Sequence, residues 1–184
     1  EFQQAFSQRL RALAHAHNLL TKTQWEGVSL ADLLGMELKA RCGDEEQMLL
    51  RGPAIVLRPK AALALHMVIH ELCTNAAKYG ALSADKGRVR VDWSVAQRAG
   101  SAYVEMRWVE EGGPKVQPPQ KRGFGSRILD STIPYELEGD VKLEFRESGL
   151  LCAVEFPLTE GTGFRVGSTH GGEKTSLESA RADA

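Results

Sequence analysis

Apolar residues recur at Phe2, Phe6, Leu10, Leu13 and Leu20, with Ala5, Ala14 and Ala16 between them. That spacing lays one apolar stripe along an amphipathic helix over residues 2–22. Such a helix is marginal alone and needs a partner for its stripe. Trp25, Glu26 and Gly27 break the pattern. Ser29 followed by Asp32 resembles a capping arrangement with Asp in place of the usual Glu, and predicts a second helix over 30–41. Gly43 and the acidic trio Asp44, Glu45 and Glu46 predict a turn. The run MLLRGPAIVL (48–57) reads as two short strands, or as one interrupted at Gly52-Pro53. Pro59 is placed to open a long helix over 60–79, and Gly80 to end it in the usual C-terminal role.

Further on, RVRVDWSV (88–95) and AYVEMRWV (102–109) alternate apolar and polar residues, with Gly100 in the connection. Two antiparallel strands fit that alternation. The stretch EEGGPKVQPPQKRGFGS (110–126) is rich in Gly and Pro. Its length without structure marks it as a functional lid or a disordered segment. A short helix over 126–138 precedes a hairpin of 141–147 with 150–158 across Ser148-Gly149. After Leu158 the composition turns to Gly, Thr, Ser, Glu and Ala, which predicts a disordered tail. The order of elements predicts an α+β fold: a two-layer α/β sandwich, one mixed sheet covered by helices on one face. The expected divisions are a helical region over 1–42, a main domain over 43–158 and the tail over 159–184.

Composition narrows the class. The 184 residues carry a net charge of −1, so no global field points to nucleic acid or an anionic membrane. No apolar run approaches the roughly 20 residues a membrane span needs, and no signal peptide is visible. The cysteines Cys42, Cys73 and Cys152 are odd in number with no C-x-x-C pair, which suggests neither a zinc site nor a disulfide framework. A reducing, cytoplasmic setting is the simplest reading. The chain opens on Glu1 inside a helical pattern, so it is expected to be part of a longer protein.

The chemistry concentrates in HELCTNAAKYGALS (70–83). On a helix Glu71, Asn75 and Lys78 fall within roughly 60° of one another, while Leu65, Ile69, Leu72 and Ala76 form a separate apolar stripe. A solvated face with an ion pair is one reading of the polar row. Asn is a poor residue for a helix interior, however, which argues that Asn75 is kept for a task. A carboxylate that can orient or deprotonate a nucleophile, an amide oxygen suited to Mg²⁺ and a Lys that can meet phosphate describe one wall of a Mg-nucleotide site. His66 and His70 are four residues apart and could share a metal, but the H-E-x-x-H order is absent and the sequence shows no third ligand.

HELCTNAAKYGALS resembles the N-box of the HWE subfamily of sensor histidine kinases, whose ATP-binding domain has the Bergerat fold shared with gyrase-type ATPases, Hsp90 chaperones and MutL-type repair proteins. The defining His and Trp-x-Glu are matched by His70 and by Trp108-Val109-Glu110. EGGP (111–114) and RGFGSRIL (122–129) are similar to the two glycine boxes, and LRALAHAHNLL (10–20) and WEGVSLADLL (25–34) to the run-in. The resemblance covers residues 2–158, and it makes the N-terminal helices part of a dimerisation hairpin.

The resemblance implies ATP and Mg²⁺ as cofactors. It gives Glu71 the role of polarising the nucleophile, Asn75 that of holding Mg²⁺, and Lys78 and Tyr79 contacts to phosphate or ribose. His70 is either a catalytic neighbour of Glu71 or a histidine fixed by a hydrogen bond. Glu110 takes the place of an acceptor for the adenine amine, the alternative being a strand-end carboxylate in solvent. Gly112 and Gly113 would let backbone approach the base. Trp108 is a core residue by periodicity, or a nucleotide contact. Gly123, Phe124, Gly125 and Ser126 would bring backbone N–H groups to phosphate ahead of a helix.

The family's phosphoacceptor motif, like His-Arg-x-Lys-Asn, does not occur in the sequence. His15 and His17 read as interface or structural residues. The chain is therefore expected to bind ATP without completing its own autophosphorylation. The implied partners are a response regulator and, in the longer protein, a second copy, with neither nucleic acid nor direct membrane contact. An ATP-hydrolysing clamp and a non-catalytic adaptor are the competing readings.

Overall fold

A computed structural model describes residues 27–116 and 124–165, with side chains of the second segment from residue 128 onward. The expected helix over 2–22 lies outside these residues. Strand β1 (Val28–Ser29) leads into helix α1 (Leu30–Lys39), where the Ser29 hydroxyl accepts the Asp32 N–H at 3.4 Å as the sequence spacing predicts. Asp44 and Gln47 close a capping box around the short 3-10 helix Glu45–Gln47. Strands β2 (Met48–Arg51) and β3 (Ile55–Leu57) follow, and Pro59 is the first residue of helix α2 (Pro59–Lys78). A second 3-10 helix, Ala81–Ser83, precedes strands β4 (Arg88–Arg98) and β5 (Ser101–Glu111). Helix α3 (Phe124–Leu137), strands β6 (Asp140–Arg146) and β7 (Gly149–Pro157) and the short strand β8 (Gly163–Arg165) complete the described chain.

The α+β class holds, but the single mixed sheet is corrected to two sheets. One has five strands in the order β2-β4-β5-β7-β6, and the other has three in the order β1-β3-β8. In the larger sheet β2 runs parallel to β4 and the remaining pairs are antiparallel. Gly52-Pro53 divides them. Proline has no N–H to continue a ladder, and the Pro53 carbonyl instead accepts the Trp93 indole N–H at 2.8 Å. The chain thus leaves β2 and enters the other sheet as β3. Strand β8 corrects a second expectation, since Gly163–Arg165 pair with β3 inside the stretch read as a tail.

Alternation sets the inner face of the larger sheet. Val89, Val91 and Trp93 of β4, Val104, Met106 and Trp108 of β5, and Cys152, Val154 and Phe156 of β7 are buried. Arg88, Arg90 and Arg107 lie on the other side, exposed. Helices contribute Leu30, Leu33, Leu34 and Leu38 from α1, Leu65, Ile69 and Leu72 from α2, and Leu129 and Ile133 from α3 to the same core. All three cysteines are free thiols. Among the described residues no helix is long and apolar enough to cross a membrane.

Candidate functional site

Helix α2 carries three faces. Leu65, Ile69, Leu72 and Ala76 are fully buried in the core. His66 and His70 turn toward α1. Glu71 and Asn75 are half-buried, and Lys78 at the last turn is exposed, so the polar row predicted from spacing is formed on the helix. Among the described residues the side chains of Asn75 and Lys78 form no hydrogen bond or ion pair. Tyr79 is 73% exposed.

The end of α2 corrects the role expected of Gly80. Its φ is −110°, so it is not a left-handed C-terminal glycine. Its N–H bonds to the Asn75 and Ala76 carbonyls, each at 3.1 Å. Glycine is needed for space instead: a Cβ on Gly80 would run into Oε2 of Glu110.

Glu110 stands at the end of β5 and is 3% exposed, which excludes a solvated strand-end carboxylate. Its Oε1 accepts the Trp108 indole N–H at 3.1 Å and its Oε2 accepts the Ala81 backbone N–H at 2.9 Å. Burial pushes its pKa above the ordinary carboxylate value, against the pull of these two hydrogen bonds. Trp108 has no exposed surface. It is a core residue that orients Glu110, and in this structure its ring offers no face to a ligand. Past β5 the backbone turns at Gly112, whose φ of +75° suits glycine. A Cβ on the next residue, Gly113, would lie 2.7 Å from the Ala81 Cα. Segments 80–83 and 110–113 therefore touch through glycine-sized positions around one buried carboxylate.

Of the second glycine box, Gly123 lies outside the described residues. Phe124, Gly125 and Ser126 form the backbone of the first turn of α3. The lid region from 117 to 122 also lies outside.

His70 is engaged by Glu37 of α1 and by Arg41 just beyond it. Its Nδ1 is 3.0 Å from Oε2 of Glu37 and 3.1 Å from Nη2 of Arg41. Arg41 Nη1 bonds the Glu37 carbonyl at 2.9 Å and Oε2 at 2.8 Å. Glu37 is 7% exposed. Burial pushes its pKa up, but the His70 hydrogen bond and the Arg41 charge outweigh that and hold it below the ordinary value. The geometry favours the reading of His70 as a histidine fixed by hydrogen bonding. Sequence reasoning missed Glu37 and Arg41. Their i, i+4 spacing was visible, but their partner His70, 33 residues from Glu37 and 29 from Arg41, was not.

The model of the family described as HWE histidine kinase matches residues 1–54. The blue-light-activated histidine kinases of Brucella ovis and Brucella abortus are each 38% identical to the chain over 155 residues, 84% of this chain. The chain spans about a third of the length of these relatives (32%). Among solved structures, the blue-light activated histidine kinase of Erythrobacter litoralis EL346 superposes with a TM-score of 0.59 at 15% identity, over 84% of this chain and 49% of that one. The mycobacterial sensor histidine kinase MprB gives a TM-score of 0.51 at 14% identity, over 72% of this chain and 96% of that one. These superpositions establish the fold as that of histidine kinase catalytic domains. Over 84% of its length the chain is similar to these histidine kinases, and its residues 1–54 match the HWE histidine kinase model.

Proposed function

We propose that residues 28–165 are the ATP-binding catalytic unit of a sensor kinase that moves the ATP γ-phosphoryl to a histidine and then to an aspartate of a response regulator. The packing of α1 into the common core supports a unit that begins at Val28 rather than after residue 42.

The observation that carries this reading is the buried carboxylate of Glu110 at the foot of the α2 polar row. Gly80 links the two, since its N–H caps the Asn75 carbonyl and its α-carbon abuts Glu110. The donor set fits a Mg-nucleotide. Asn75 brings an amide oxygen with no other partner among the described residues, a hard ligand suited to Mg²⁺. Lys78 brings a positive charge for phosphate.

Bound Mg²⁺ would supply charge neutralisation on the triphosphate. Glu110 accepts a hydrogen bond from the adenine exocyclic amine and rejects guanine, whose oxygen there would leave the carboxylate facing an acceptor. Trp108 and the Ala81 N–H hold that carboxylate in place. Glu71 takes the nucleophile's proton or orients its lone pair. Tyr79, Gly112 and Gly113 border the base and ribose, and the first turn of α3 turns N–H groups to phosphate. His70 is a positioning residue that ties α2 to α1. Phosphotransfer here is chiefly positioning and electrostatics. The acceptor histidine comes from a segment with the missing motif, and a second copy and the response regulator are the partners of the longer protein.

Calorimetric titration tests the reading. Mg-dependent binding of ATP in preference to GTP is the expected result. No binding at millimolar nucleotide, or equal affinities for ATP and GTP, would overturn it.

A further inference from the structure

The cluster between α1 and α2 is not used by the nucleotide groove. Glu37, His66 and His70 each bring one ligand atom to a point where all three lie within 4.8 Å of one another. His66 Nδ1 is 3.7 Å from Glu37 Oε1, and His70 Nδ1 is 3.0 Å from Glu37 Oε2. Ligand atoms around a tetrahedral ion with bonds of about 2.0–2.1 Å stand roughly 3.4 Å apart, and these two separations, each to a different oxygen of Glu37, lie on either side of that value. The two histidines are one helical turn apart with ring centroids 6.0 Å apart.

A second observation points to a cation. His70 Nδ1 is at hydrogen-bond distance from both an ionised carboxylate, which only accepts, and a guanidinium, which only donates. Protonated, Nδ1 satisfies Glu37 and opposes Arg41. Unprotonated, it satisfies Arg41 and opposes Glu37. Neither tautomer suits both neighbours. A metal ion in place of the guanidinium would meet the lone pairs of His70 and Glu37 together, and a ligand nitrogen of His66 lies within 4.8 Å of their ligand atoms.

We propose that Glu37, His66 and His70 form a binding site for a divalent transition metal ion of the Zn²⁺ or Co²⁺ type. Two imidazoles and one carboxylate suit such ions, whereas Mg²⁺ prefers oxygen ligands alone. Arg41 is the competing cation. It follows the end of α1, its side chain is 19% exposed, and it can swing out as the ion enters, exchanging one positive group for another at the buried carboxylate. The fourth ligand is water entering past His70, which is 21% exposed. The ion would pin α1 to the residue next to Glu71. The site does not depend on the nucleotide reading.

The test titrates the full chain with Co²⁺, followed by visible absorption, and with Zn²⁺, followed by calorimetry, both without nucleotide. One equivalent bound with a tetrahedral Co²⁺ spectrum is expected, together with a rise in Tm on adding Zn²⁺. Glu37→Gln and His66→Gln should each weaken binding at least tenfold. Arg41→Gln should strengthen it about tenfold, a sign that a purely structural ion-pair cluster would not produce. Circular dichroism confirms folding of each variant. Absence of micromolar binding by both the parent chain and Arg41→Gln would overturn the site. Binding unchanged in Glu37→Gln and His66→Gln would overturn it equally, by assigning the ion to His15, His17 or His170.

Discussion

The Trp108 indole donates its N–H to Oε1 of Glu110, two residues along the same strand, at 3.1 Å. Both side chains point to the inner face of the sheet because residues i and i+2 share a face. The tryptophan is therefore a buried brace for the carboxylate. Trp108→Phe keeps an aromatic ring and removes the donor. It should cost about 1–3 kcal/mol of stability by leaving one buried oxygen short of a partner. ATP affinity should fall while the far-ultraviolet dichroism stays unchanged. Chemical denaturation and calorimetry read the two effects separately.

Gly80→Ala places a methyl against Oε2 of Glu110. The carboxylate must shift or the helix end must move. Loss of adenine selectivity and a lower Tm are expected, measured by ATP and GTP titration and by thermal unfolding. An alanine tolerated with no change in either would show that Glu110 has room to spare.

Asn75→Ala removes an amide with no hydrogen-bond partner among the described residues. Stability should change little, since no described residue bonds to that side chain. Mg-dependent ATP binding should drop at least tenfold, whereas any binding measured in the presence of a chelator should not change. Calorimetry with and without Mg²⁺ distinguishes the two.

Glu71→Gln in the longer protein should lower histidine phosphorylation by roughly 10²–10⁴-fold, the usual weight of general base catalysis. Nucleotide affinity should stay within a few-fold. A parallel loss of both would make Glu71 a binding residue instead.

The raised pKa of Glu110 gives a pH dependence with a definite sign. Below the ordinary Glu range the group is protonated in both folded and unfolded states. As pH rises, the unfolded chain releases the proton first, while the folded chain retains it. Stability from this group is therefore full at low pH and declines as pH climbs through the raised value. Glu110→Gln cannot titrate, so the stability of the parent chain relative to this variant should fall across that window. ATP affinity should rise across it, because the ionised carboxylate is the better acceptor for an amine. Denaturation and binding curves at several pH values check both slopes.

Local pattern determined much of this protein. The 3.6-residue period of α2, the Ser29 cap, Pro59 at the helix start and the alternation of β4 and β5 are short-range features, governed by backbone geometry within a few residues. The row of Glu71, Asn75 and Lys78 was legible for the same reason. Tertiary structure decided the rest, through contacts distant in sequence. The separation of β2 and β3 into different sheets is accompanied by a Trp93 bond to Pro53, 40 residues away. The strand at Gly163–Arg165 exists because β3 offers it an edge. The need for glycine at 80 comes from a carboxylate 30 positions on, and His70 was given its orientation by Glu37 on another helix and Arg41 just beyond its end. No period within one segment encodes such meetings. They arise when apolar faces pack and bring particular polar groups within bonding distance.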